Sequence, residues 1–278
     1  KSPETHKKPE AKEKTELLSK LNRSRKNKTF KAGKNPYIAR IDISGVICEA
    51  SERYNQKWLL ETIENLSEDS NNKGIILYID SPGGTVYHSD EAYLALMEYK
   101  NKTSRPVYAY FSTLAASGGY YIACSSDYIM ANRNCLTGSI GVIAGRFTDL
   151  TGLMEKYGVK IRTIHSGRNK IMGSYEESPT EEQIEIMQSI ADETYDQFVG
   201  IVASSRGLSM EDTVKLADGR IYSAAQAVEN HLIDSTGSFK DLKEAMTRKA
   251  FDFNEYEVVD YSYKEDESLY KMIMGLAD

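Results

Sequence analysis

The sequence has no run approaching the roughly 18 to 20 apolar residues of a bilayer-crossing helix, so no segment reads as a membrane span. Cysteine is scarce. Cys48, Cys124 and Cys135 permit one disulfide at most, leave one thiol over and lack metal-ligand spacing. Cys124 reads as a small buried residue, and the three together say little about compartment. Histidine is equally sparse: His6, His88, His165 and His231 share no local pattern that marks one as a catalytic base. Neither a GxGxxG fingerprint nor a Walker loop follows the early apolar runs, which removes the sequence basis for a nucleotide-binding doubly wound fold.

What is present suits a globular chain. Its 278 residues are 40% hydrophobic and 27% charged, enough for one large core or two modest ones. Charge is uneven. Residues 1–36 carry twelve Lys/Arg against four Glu, a surplus of eight positive charges, and since the whole chain is −6 the remainder carries −14. That composition predicts a disordered basic arm, either a solvated tether or a contact for anionic lipid or an acidic surface. The acidic remainder would repel phosphates, which argues against a nucleic-acid partner.

Apolar runs bounded by turn residues alternate with amphipathic stretches, the pattern of an α/β fold. Strands are predicted at 38–47, 74–79, 107–111, 128–131 and 159–164, and helices at 57–66, 89–100, 117–125 and 150–157. After residue 170 the pattern turns helical. Ser178-Pro179-Thr180-Glu181 reads as a helix start capped by Ser178, and apolar residues from Ile184 to Val202 recur at helical spacing up to about residue 204. Such a stripe is core or subunit interface before it is a ligand site. Arg206-Gly207 ends that helix and Ser209 caps the next. The organisation expected is an arm at 1–36, a main domain at 37–237 and a helical extension with a tail at 238–278. The tail reads as a swapped helix, a segment reaching its own groove or a frayed terminus.

Two short stretches carry chemistry. Ser117 lies in Ala115-Ala116-Ser117-Gly118-Gly119, where a strand gives way to a helix, and Asp80-Ser81-Pro82-Gly83-Gly84 stands upstream. Small neighbours expose the hydroxyl and admit a substrate backbone. The amides that follow, beginning with Gly118, lie at a helix N-terminus, where unpaired N–H groups stabilise a developing oxyanion. A nucleophilic serine needs a base. A lysine serves if burial leaves its amine neutral, and Lys170, beyond the Ser166-Gly167 turn, is the first choice, with Lys156 and Lys160 as poorer ones.

These stretches, with Leu136–Val142, Ser166–Lys170 and Ala217–Tyr222, resemble signal peptide peptidase A, a family of Ser-Lys peptidases related in fold to the Clp protease and to crotonases. The likeness runs from about Tyr37 to Gly237. It implies a spiral of strand-strand-helix units, Ser117 as nucleophile, Lys170 as general base, Ser139 holding the lysine amine, and Gly118 and Gly84 as oxyanion donors. No histidine stands some twenty-five residues after Ser117, where Clp-type proteases place one, so a Ser-His-Asp reading is disfavoured. Arg220 reads as half of a structural salt bridge.

The resemblance also implies hydrolysis of signal peptides left after preprotein processing, without metal or organic cofactor, in a closed homo-oligomer whose dyad can be shared between subunits. A chain that begins at Lys1 is expected to follow an upstream anchor, with the catalytic domain outside the cytoplasm, although a basic arm beside an anchor favours the cytoplasmic side. A capsid maturation protease, a crotonase-type acyl-CoA enzyme and a non-catalytic scaffold are the other readings.

Overall fold

The computed structural model describes Gly33 and residues 35–264. Its frame is a largely parallel sheet in which the strands lie in the order Glu257–Tyr261, Tyr37–Ser44, Asn72–Ser81, Val107–Ala116, Tyr128–Ala131 and Ser235–Thr236. The central strands are β1 (Tyr37–Ser44), β4 (Asn72–Ser81) and β5 (Val107–Ala116), continuous apolar runs as a sheet covered on both faces requires. β5 is long enough to pair twice along one edge. Its first half meets β6 (Tyr128–Ala131) and its end meets β7 (Leu136–Gly138). That second pairing carries the sheet as far as Ser117.

Side chains alternate between two cores. On one face Ile41, Ile75, Leu77 and Phe111 pack beneath α1 (Gln56–Glu68), α2 (Val86–Thr103) and α3 (Gly118–Ala123). On the other, Ile38, Ile76, Tyr108 and Tyr110 meet Leu242 and Met246 of α8 (Phe239–Ala250). The segment expected as an extension after Gly237 therefore supplies α8 to one face, and its strand β10 (Glu257–Tyr261) pairs in parallel with β1 at the sheet edge. Residues 1–32 and 265–278, which hold most of the basic arm and the apolar end of the chain, lie outside the described residues.

The remaining elements follow in chain order. β2 (Ala50–Ser51) and β3 (Tyr54–Asn55) form a small hairpin before α1. α4 (Thr151–Tyr157) precedes α5 (Glu181–Arg206), α6 (Met210–Leu216), β8 (Ile221–Ser223), α7 (Ala224–Glu229) and β9 (Ser235–Thr236). Two expectations need correction. The cap of α5 is Thr180, boxed with Gln183, because Ser178 instead donates its hydroxyl to Asp149 Oδ2 at 2.6 Å. Residues 159–164 form no strand: they have strand alternation, but no sheet edge among the described residues is there to receive their ladder. No helix among the described residues is long and apolar enough to cross a membrane.

Candidate active site

Ser117 stands at the junction of β5 and α3 with φ 52° and ψ −122°, a conformation costly for any side-chain-bearing residue. Neighbouring backbone holds it there. Its amide donates to Gly138 O at 2.8 Å, and its carbonyl accepts from Tyr121 N at 2.9 Å. Below it, α3 is anchored by two tyrosines. Tyr120 donates to Leu232 O at 2.7 Å, while Tyr121 donates to Asp90 of α2 at 2.6 Å and accepts from Gln197 of α5 at 2.6 Å. Burial pushes both phenols up in pKa, so they stay protonated donors.

The glycines around Ser117 are required by close approach. A methyl at Gly83, where φ is +96°, would lie 2.6 Å from Gly118 N, and one at Gly118 would lie 2.2 Å from Ser89 Oγ. Gly84 is backed by the 45–49 loop: Ile47 N donates to Gly83 O at 3.0 Å and Thr85 N to Ile47 O at 2.9 Å. This bridge leaves the Gly84 amide with no acceptor among the described residues, and the amide of Gly118, first in α3, has none either. The two are neighbours, since a Cβ at Gly118 would stand 3.2 Å from Gly84 N. A pair of unpaired N–H groups beside a strained serine can hold a developing oxyanion.

Ser139, with φ 51°, is fixed from the other side. Its amide donates to Arg220 O at 2.8 Å, and Gly219 N donates to Ile140 O at 3.0 Å. The Asp218–Tyr222 stretch is thus the support for Ser139: β8 pairs antiparallel with β7, which in turn pairs with β5. Arg220 bonds Asp218, and that hydrogen bond holds the carboxylate below its usual pKa.

Ser117, Ser139 and Gly84 line one cleft of about 850 Å³, which Gln188, Asp192 and Tyr195 of α5 line as well. Lys170 does not line it. The side chain is exposed in a turn where its amide donates to Gly167 O at 3.1 Å, so the desolvation expected for its amine is not met within one chain. Lys156 and Lys160 are exposed too and line no part of the cleft, and neither do His88, His165 and His231. Among the described residues no group of three His, Cys, Asp or Glu could hold a metal ion. Sequence reasoning missed Thr85, which caps α2 and lines the cleft, and the α5 wall. A threonine just after Gly83-Gly84 at a helix start was the available signal.

Comparison with known proteins bears on this geometry. The model of peptidase family S49 matches residues 99–251, which include Ser117, Ser139 and Lys170. The chain belongs to peptidase family S49. By that membership it is a serine peptidase. A relative in Enterococcus faecium, named as a signal peptide peptidase SppA, is 38% identical over 222 residues, covering 77% of this chain and 64% of that protein. Two solved structures share the fold at 16% identity. One is a ClpP1 mutant from Listeria monocytogenes, with TM-score 0.50 over 81% of this chain and 98% of that one. The other is a mutant of the membrane-bound stomatin-specific protease 1510-N, with TM-score 0.51 over 82% and 98%. The Clp-like α/β fold expected from the sequence is the fold this S49 peptidase has.

Proposed function

We propose that this chain hydrolyses signal-peptide remnants and other membrane-associated peptides through an acyl-enzyme on Ser117, with Lys170 of a neighbouring copy as the base. One observation carries the reading: a strained, half-buried serine beside two unpaired amides in a cleft of about 850 Å³. The neutral lysine amine takes the Ser117 proton as Oγ attacks the scissile carbonyl. The amides of Gly118 and Gly84 hold the tetrahedral oxyanion. The ammonium returns its proton to the departing amine, and the freed lysine then activates the water that releases the acyl group. Ser139, which lines the same cleft, receives the incoming amine and fixes its direction.

The intersubunit assignment is supported by the surface that carries Lys170. Val159, Ile161 and Ile164, in the segment that leads to Lys170, are exposed, with Ile164 at 93%. A closed homo-oligomer would cover these side chains and bring the lysine into a neighbour's cleft, where exclusion of water would favour its neutral form. The substrate class rests on the family and on the name of the Enterococcus relative. A place at the cell membrane with the catalytic domain outside the cytoplasm belongs to the same reading. A fluorophosphonate probe tests the nucleophile: it should label the parent protein and fail to label Ser117→Ala, and retained labelling would move the nucleophile elsewhere.

A further inference from the structure

The strip Gly83-Gly84-Thr85 lies between the Ser117-Gly118 backbone on one side and the 45–49 loop on the other, which holds it through the paired bonds of Ile47. What keeps that loop in place matters to the Gly84 amide, because a displacement of about 1 Å at an oxyanion donor can cost roughly two orders of magnitude in rate. Upstream the loop is pinned by Ser81, whose hydroxyl donates to Gly45 O at 2.6 Å and accepts from Gly83 N at 3.0 Å. Downstream it is pinned by a chain of side chains. Glu49 Oε2 lies 3.3 Å from His88 Nε2, and His88 Nδ1 lies 2.5 Å from Thr85 Oγ1. Thr85 is the residue whose amide bonds Ile47 O and whose hydroxyl caps α2.

The imidazole is therefore a strut with Nδ1 on Thr85 of the strip and Nε2 on Glu49 of the loop. Its side chain is 14% exposed against 82% for that of Glu49, and it lies in the first turn of α2. Its place is specific. Glu49 is on the loop, Thr85 is at the edge of the cleft, and no other described side chain joins the two.

We propose that His88 is a positioning residue for the reaction: by joining Glu49 to Thr85 it holds the Gly83-Gly84 strip, and with it the Gly84 amide, in register with Ser117. The inference rests on the reading of Gly84 as an oxyanion donor. His88 takes no proton from substrate and makes no contact with the reacting atoms, so its loss lowers turnover without weakening peptide binding. Glu49 acts only through His88, so the two losses overlap.

The test compares the parent, His88→Ala, Glu49→Ala and the double variant in steady-state peptide hydrolysis, fluorophosphonate labelling rate and thermal melting. His88→Ala should lose about tenfold in kcat, a fraction of what removing a donor outright costs, with KM within about twofold, and labelling should slow by the same factor. Melting should stay within a few degrees. Glu49→Ala should show a smaller loss of the same kind, and the double variant should be no worse than His88→Ala alone. An unchanged kcat, a rise in KM alone, a loss no larger than the fall in folded protein, or fully additive losses would each overturn the proposal. Ser117→Ala serves as the reference. If it still hydrolyses peptide, the function reading itself fails; if it is dead while His88→Ala matches the parent, only the positioning role falls.

Discussion

Residues 107–141 and 142–175 are adjacent in sequence and opposite in construction. The first stretch is β5, α3, β6 and β7, with Phe111, Ala115, Tyr120 and Ile129 fully buried and the Ser117 backbone hydrogen-bonded on both sides. The second holds one seven-residue helix, no strand, and apolar side chains facing outward, among them Ile143 at 73% and Ile164 at 93%. The nucleophile proposed at Ser117 would need its amides placed to fractions of an ångström, and that half of the candidate site is built on the rigid sheet. The stretch that carries Lys170 has apolar residues without an internal core to bury them, which is the condition of a surface completed by another chain.

The contrast is broken first at the reacting groups. Ser117→Ala should remove at least about 10⁴-fold in kcat, and Lys170→Ala should fall nearly as far, because residues acting as one unit fail together. Lys170→Arg should be as inactive as Lys170→Ala, since a guanidinium does not give up its proton to become a base. Both should melt like the parent. A residual rate within tenfold of the parent in either lysine variant would detach Lys170 from the chemistry.

Smaller, and confined to the rigid half, is the effect of a methyl at Gly84. It would sit 1.8 Å from Ile47 O, so backbone must move, and Gly84→Ala should cost about 10²-fold in kcat together with a lower melting temperature. Full activity in this variant would mean that the strip does not hold the oxyanion.

The same division governs what was legible in the sequence. The buried strands announce themselves as apolar runs, and the glycines at 83, 84, 118 and 119 mark close approach, which is why Ser117 and the amides beside it stand out as candidates in the sequence. Residues 159–164 misled, since Val159, Ile161 and Thr163 alternate with Lys160 and Arg162 as in a half-buried strand, yet a strand exists only where a partner supplies its hydrogen bonds. Periodicity reports that a face is apolar and is silent on which chain covers it. The support of Ser139 by the Asp218–Tyr222 stretch was out of reach for another reason: the pairing of β7 with β8 joins residues some eighty positions apart through topology alone.

Stability should divide as activity does. Leu77→Ala, in a fully buried position of β4, should cost about 2–5 kcal/mol in denaturant unfolding. Ile164→Ala should stay within about 0.5 kcal/mol for the isolated subunit while weakening assembly in sedimentation. An equal cost at both positions would mean that residues 142–175 pack into the subunit after all.

The smallest effect is at the thiols. Burial pushes Cys124 and Cys135 up to about 12, whereas Cys48 is half-buried, so near pH 8 a thiol reagent should titrate one cysteine in the folded protein and three after unfolding. The sign for stability follows. Both groups are held neutral in the fold, so their contribution is complete below the unfolded thiol range near 8.5 and is lost as pH rises toward about 12.

The central claim, that one copy supplies the serine and its neighbour the lysine, is tested most directly by mixing. Ser117→Ala and Lys170→Ala proteins, each inactive alone, are combined under conditions that let subunits exchange, and peptide hydrolysis is measured against the unmixed controls. Recovery of a substantial fraction of parental activity, growing with exchange time, is the predicted result. No recovery in mixtures shown to have exchanged subunits, or full activity in a parental monomer followed by sedimentation, would contradict it.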